Sequence, residues 1–228
     1  MKVSFWFVII AGIFVTCLIT ANIIAVKLIL LFGFLVPAGV IVFPLSYLFG
    51  DVLTEVYGYG AARYVIWLGF GCNLLAVIAF FIGGLAPAAP FWHNQAAYDA
   101  ILGFTPRLLL ASFIAYLVGE FTNSFVLAKL KIATKGRWLW TRTISSTLIG
   151  EGLDTVIFIS IAFWGIIPPQ LILTAILTQW TFKVLYEVIA TPFTYAVVGF
   201  LKRRENLDAY DYRTNFNPLL LRSEASAR

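Results

Sequence analysis

Apolar residues run along this chain in six blocks of about 20 or more, broken by short polar connections: 4–25, 36–57, 64–85, 108–127, 143–164 and 172–200. A helix rising 1.5 Å per residue needs about 20 apolar residues to cross a hydrocarbon layer about 30 Å thick. The pattern therefore predicts an all-α integral membrane protein with six transmembrane helices. The last block exceeds one crossing, so it is expected to tilt or break, with Pro192 as the natural kink point. The connection 83–106 holds Pro87, Pro90 and Pro106 among mixed polar residues and reads as a short interfacial helix or a lid. Residues 1–204 make the membrane domain, and the polar stretch 205–228 reads as a flexible cytoplasmic tail. Lys2 precedes an apolar run to Val26. That run is longer than the roughly 7–15 residues of a signal-peptide core, so it reads as a retained span.

Polar residues interrupt these blocks at helical spacing. Glu151 and Asp154 share a face of the fifth span at i, i+3, and Asp51 and Glu55 share one of the second at i, i+4. Pro44, about two turns earlier, loosens that helix. Glu120 and Asn123 lie in the fourth span, Gln179, Lys183 and Glu187 form a stripe along the sixth, and Asn22 lies in the first. An ionisable group at bilayer depth is costly, so such residues face a polar interior and meet a substrate or coupling ion. Polar faces on four spans imply one shared hydrophilic cavity. Each also has a purely structural alternative. Asp51 and Glu55 could be solvated at a membrane boundary or pair with Arg63. Lys183 and Glu187 could form an intrahelical pair, and Glu151 and Asp154 could bridge to Lys183. Lys27 could snorkel to the interface, and Arg142 reads as a boundary charge.

Composition narrows the class. The chain is 61% hydrophobic and 12% charged, with mean hydropathy +0.92, too little charge to cover a soluble domain. Lys129, Lys131, Lys135, Arg137 and Arg142 crowd the connection between spans four and five, and Lys202, Arg203 and Arg204 follow span six. The alternate connections carry only Lys27 and Arg107. The positive-inside rule then puts both termini in the cytoplasm. The net charge of +5 reflects topology, and nucleic acid is not an expected partner. Cys17 and Cys72 lie in apolar runs and read as packing residues. With His93 the only histidine, no zinc site or acid–base triad is expected, and no metal or cofactor.

A weak repeat runs through the halves. Gly50-Asp51-Val52-Leu53-Thr54-Glu55-Val56 resembles Gly150-Glu151-Gly152-Leu153-Asp154-Thr155-Val156. Thr20-Ala21-Asn22 with Lys27 beyond resembles Thr122-Asn123 with Lys129 beyond. Three spans per half would invert the second copy, as in many alternating-access transporters. Spans three and six do not match.

A cavity of acids, amides and lysine suits a flat nitrogenous solute: carboxylates accept amidine-like N–H edges, while Asn and Gln meet ring carbonyls and nitrogens. Trp180, Phe158, Tyr186, Phe43 and Tyr47 offer stacking surfaces. The segments Asn22-Ile23-Ile24-Ala25-Val26-Lys27, Phe43-Pro44-Leu45-Ser46-Tyr47 and Asp51-Val52-Leu53-Thr54-Glu55-Val56-Tyr57-Gly58 resemble the queuosine-precursor transporter family, also called the vitamin uptake transporter family. Glu120-Phe121-Thr122-Asn123-Ser124 and Arg142-Thr143-Ile144-Ser145-Ser146-Thr147 extend the likeness, which covers nearly the whole chain to about Arg204. The resemblance implies a bacterial inner-membrane importer of 7-deazaguanine bases, 7-cyano-7-deazaguanine and 7-aminomethyl-7-deazaguanine. The expected partners are that small molecule and the bilayer, with pairing into a homodimer an open expectation. A rival is the substrate-binding subunit of an energy-coupling-factor vitamin importer, which docks through small residues; Ala21 and Ala25 offer such a pair. An intramembrane enzyme is the weaker rival, because no His-Glu-x-x-His or serine–histidine signature is present.

Overall fold

The computed structural model describes residues 4–31, 34–103, 106–166 and 168–220. The helices are α1 (Phe5–Ile24), α2 (Phe43–Tyr57), α3 (Tyr59–Leu85), α4 (Gln95–Leu102), α5 (Pro106–Ala133), α6 (Leu139–Phe163) and α7 (Pro169–Glu205). Among the described residues five helical segments are long and apolar enough to cross a membrane: α1, α3, α5 (with α4 before it), α6 and α7. Phe5, Leu75, Phe81, Leu173 and Ile189 are exposed, while eleven charged side chains among the described residues, from Asp51 to Asp211, are buried. Apolar outside and charged inside is the polarity of a protein in lipid, where the bilayer solvates the surface and charges must be met within.

The second predicted span takes a different form. An antiparallel hairpin, β1 (Leu28–Leu31) and β2 (Phe34–Pro37), pairs Leu28 with Pro37. A 3₁₀ turn (Ala38–Ile41) follows, and α2 has only 15 residues. Helix and turn together reach roughly the 30 Å of a hydrocarbon core, which α2 alone does not. The short apolar strands carry no period that separates them from a helix or a buried loop. Along α2 every residue from Pro44 to Val56 is buried except Leu45 and Phe49, which are half-buried, so this helix is the axis of the bundle.

Ala21 and Ala25, the small pair on α1, are occupied within the molecule. A Cβ on Gly39 would lie 2.7 Å from the Ala21 carbonyl and 3.1 Å from the Ala25 Cβ. The pair thus seats the turn before α2 and is not a free docking stripe. The connection 83–106 contains α4, as expected, held to α3 by the Tyr98 hydroxyl donating to the Phe80 carbonyl at 2.8 Å. Pro192 lies inside α7, which continues through it to Glu205.

The ends of the helices sort by charge. The start of α3 and α6 and the ends of α2, α5 and α7 meet at one end, the basic end, where Glu55, Lys131, Arg142 and Lys202 touch. Gly58 turns α2 into α3 at φ +84°, in the left-handed region open to glycine. At the far end Arg107 donates to the Ile161 and Trp164 carbonyls at 2.5 and 2.6 Å, closing the C-terminus of α6. The segment read as a free tail is anchored through its described part. The Tyr59 amide donates to Asp211 at 3.0 Å, Arg63 donates to the carbonyls of Asn215 and Asn217, and the Trp67 indole donates to that of Pro218.

The closest helix packing is between α5 and α6 at Gly150, where an added Cβ would lie 2.6 Å from the Asn123 Cβ and 2.9 Å from its backbone. Gly150→Ala is expected to lower the thermal stability of the detergent-solubilised protein by about 1–3 kcal/mol, the usual cost of overpacking. Gly12→Ala, with nothing within 4 Å, should be near neutral in the same melt followed by size-exclusion chromatography.

Candidate functional site

Apart from Arg63 and Asp211, the buried charges form two groups, one turn apart along α2. The inner group gathers Asp51 from α2, Glu120 and Asn123 from α5, Glu151 and Asp154 from α6, and Lys183 and Glu187 from α7. All are at most 8% exposed. The spacings i, i+3 on α5 and α6 and i, i+4 on α7 aim these side chains at α2. Lys183 is the cation at the centre: its Nζ lies 2.8 Å from Glu151 Oε2 and donates a short hydrogen bond to Asp154 Oδ2. It also stands 4.8 Å from the Phe43 ring centroid, and its carbonyl accepts the Tyr47 hydroxyl at 2.9 Å. The bridge from Glu151 and Asp154 to Lys183 is thus present. Lys183 reaches α6, not Glu187 on its own helix.

Asn123 donates to Asp51 Oδ1 at 2.6 Å. Glu187, Glu120 and Glu151 all lie within electrostatic range of Asp51. Five carboxylates therefore surround one ammonium. Several atoms here are without hydrogen-bond partners among the described residues: Asp51 Oδ2, both oxygens of Glu120 and of Glu187, Asn123 Oδ1, and the hydroxyls of Thr147 and Thr155. Thr143 lies beside Glu187 but turns its hydroxyl to the Trp140 carbonyl. Each unsatisfied buried group costs about 1–3 kcal/mol, against a whole-protein stability of about 5–15 kcal/mol. Orphan acceptors in one place, bordered by Tyr47 and Phe43, are the mark of a site that waits for hydrogen-bond donors. The cluster is closed off from the surface by its burial, each member being at most 8% exposed, and two cavities of about 210 and 340 Å³ are lined by other residues.

The outer group belongs to Glu55. This carboxylate, fully buried, receives both Nε and Nη2 of Arg142 at 2.8 Å, with Lys202 Nζ at 2.6 Å and Lys131 Nζ at 3.5 Å. Asp208 bridges Lys131 and Lys202 at 2.5 and 2.8 Å. Burial raises the pKa of Asp208, but the hydrogen bonds from Lys131 and Lys202 outweigh it and hold it below the usual aspartate value.

Four expectations from the sequence change here. Glu55 does not join the central cluster, and its partners are Arg142, Lys131 and Lys202, not Arg63. Arg142, read as a boundary charge, is 1% exposed and grips Glu55 with both arms of its guanidinium. Asn22 on α1 donates to Asn73 on α3 at 3.1 Å and stands apart from the acids. Gln179 is half-buried one turn before Lys183, and its side chain makes no hydrogen bond among the described residues. Sequence reasoning missed Arg142, Lys131 and the hydroxyls of Thr147 and Thr155. For Thr147 and Thr155, the i−4 and i+4 spacing from Glu151 was the available signal.

A bundle of apolar helices around a closed, partly unsatisfied polar site is the build of a membrane transporter. Residues 37–197 match the family model described as "Putative vitamin uptake transporter". The chain is 32% identical over 181 residues to the "Probable queuosine precursor transporter" of Bacillus subtilis (strain 168), covering 78% of each chain. It is 30% identical over 132 residues to the "Queuosine precursor transporter" of Escherichia coli (strain K12), covering 58% of this chain and 57% of that one. No solved structure matches. The chain belongs to this vitamin uptake transporter family, a family of transporters and not of enzymes. The matched stretch contains every residue of the central cluster.

Removing Lys183 strands Glu151 and Asp154. Lys183→Met is expected to destabilise the solubilised protein by about 3–5 kcal/mol, as for other buried pairs that lose one partner. Adding Asp154→Asn and Glu151→Gln to Lys183→Met should recover most of that loss in the same thermal melt.

Proposed function

We propose that the protein imports queuosine precursors, the 7-deazaguanine bases 7-cyano-7-deazaguanine and 7-aminomethyl-7-deazaguanine, across a bacterial inner membrane. The observation that carries this reading is the set of unpartnered acceptors on Asp51, Glu120, Asn123 and Glu187 around the Lys183 bridge. A guanine-like base presents an edge of N–H donors, which matches acceptors held by rigid helices. Asp154 and Glu151 accept that edge once Lys183 yields it. Asn123 and Lys183 meet the ring carbonyl, and Phe43 and Tyr47 border the ring plane. The names of the Bacillus and Escherichia relatives support the substrate class. The gathering of Lys129, Lys131, Lys135, Arg137, Lys202, Arg203 and Arg204 at one end supports a cytoplasmic basic end, with both termini inside.

The test is uptake of labelled 7-deazaguanine bases in a strain that cannot make them. Asp154→Asn and Glu151→Gln are expected to reduce uptake about tenfold or more, the equivalent of one lost charge-assisted hydrogen bond, while the protein still reaches the membrane. Wild-type uptake in both variants would remove these carboxylates from the site. Purified protein alone should carry the bases into liposomes. A strict need for ATPase subunits would make it instead the capture subunit of an energy-coupling importer.

A further inference from the structure

The outer charge group stands apart from the proposed base site and ties four helices together. Glu55 on α2 is tied to α6 by Arg142, to α5 by Lys131 and to α7 by Lys202. Asp208 ties Lys131 to Lys202, and the strap that follows runs across the start of α3 through Asp211, Asn215 and Asn217. Immediately beside the Glu55–Arg142 pair is a cavity of about 210 Å³, walled by Glu55, Arg142, Trp138, Tyr195, Gly199 and Lys202.

Between this cavity and the central site runs a seam of buried polar side chains. Asp51 meets Asn123, and next to Asn123 on α5 Ser124 accepts the Thr54 hydroxyl at 3.0 Å, one residue before Glu55. Across the seam α6 lays down Arg142, Thr143, Ser146, Thr147 and Glu151, all at most 1% exposed. The Thr54, Thr143 and Ser146 hydroxyls donate to backbone carbonyls of their own helices, while that of Thr147 has no partner among the described residues; such a polar row inside an apolar bundle offers a path to a polar solute. Glu55 stands where it meets the cavity, about 6 Å along α2 from Asp51.

We infer that Glu55 and Arg142, cross-braced by Lys131, Lys202 and Asp208, are the cytoplasmic gate of the transporter, and that the cavity beside them is its exit vestibule. The inference rests on the import reading for its direction. In the state described the gate is shut: the carboxylate of α2 holds the ends of α5, α6 and α7 together, and the strap 206–220 holds α3 to them. Opening requires Arg142 to release Glu55, which frees the ends of α6 and α7 to part from α2. The gate residues position helices and do not touch the base.

The test uses the full chain with Cys17→Ala and Cys72→Ala and a reporter cysteine, Ser146→Cys, at a fully buried seam position one turn from Arg142. Inside-out membrane vesicles expose the basic end to a membrane-impermeant maleimide. The parent should label slowly. Glu55→Gln should label about fivefold faster, and Asp208→Asn and Lys202→Gln about twofold, as each shifts the closed population. Right-side-out vesicles should show no such gain, a one-sidedness that mere loosening of the fold would not produce. If Glu55→Gln fails to reach the membrane, the partly exposed Asp208 and Lys202 decide the matter. Labelling equal to the parent in those two variants, or a gain equal from both sides, would overturn the gate. A parent that takes up no 7-deazaguanine base would overturn the import reading while leaving the labelling result intact.

Discussion

A carboxylate at bilayer depth must find a cation or donors inside the protein, and α2 answers that constraint in two opposite ways within a single turn. Glu55 is met by three cations from three helices and makes a closed network. Asp51 is met by one amide, and its other oxygen is left bare among Glu120, Glu151 and Glu187. The first arrangement holds the helices together. The second holds open a demand. A buried network that is half satisfied is worse for stability than an apolar core of the same shape, so its retention on four helices at once is a functional expense.

The surrounding architecture follows from bringing those helices close. Gly150 lets α6 rest on Asn123, and Gly39 lets the turn before α2 rest on Ala21. The bundle therefore closes around α2, whose own length is too short for the membrane and is made up by the 3₁₀ turn. The hairpin between α1 and α2 has no equivalent between α5 and α6, so the two three-helix sets differ there. Both carry a glycine just before the acid: a Cβ on Gly50 would lie 3.2 Å from Glu120 Oε2 of α5 and 3.4 Å from the Phe14 ring of α1, and one on Gly150 would lie 2.6 Å from Asn123 Cβ of α5.

The spans were legible because a hydrocarbon layer imposes one length and one polarity on everything that crosses it. Glu120, Asn123, Glu151, Asp154, Lys183 and Glu187 were legible for the same reason: each violates that polarity at helical spacing. The division between Asp51 and Glu55 was not. Both lie on one face of α2 at i, i+4, and what separates them is which bases arrive from α5, α6 and α7. Arg142 was hidden by its company, since Lys129, Lys131, Lys135 and Arg137 make the whole stretch read as a boundary. Gln179 and Asn22 belong to the same sequence pattern as the cluster residues, but Asn22 is taken by the Asn73 amide on α3, and Gln179, one turn before Lys183, is only half-buried. The strap 206–220 is polar, as free tails are. It is held by backbone carbonyls accepting from Arg63, Tyr59 and Trp67, and no sequence pattern marks such bonds.

Because Asp51 and Glu55 ride on one rigid helix, the two groups are mechanically joined. On the proposed import reading, a donor-rich ligand that meets Asp51, Glu120 and Glu187 and offers an N–H edge to Glu151 and Asp154 would compete with the Lys183 bridge. Any shift of α6 or α7 that follows is felt at Arg142 and Lys202, which leave those same two helices to grip Glu55. Coupling of this kind needs no long pathway, only a helix that carries both groups and two stable arrangements of its neighbours. The ligand must interact differently with the two arrangements for binding to move the equilibrium. On the proposed import reading the Lys183 bridge provides that difference, since it would compete with a ligand's N–H edge for the same two carboxylates when closed.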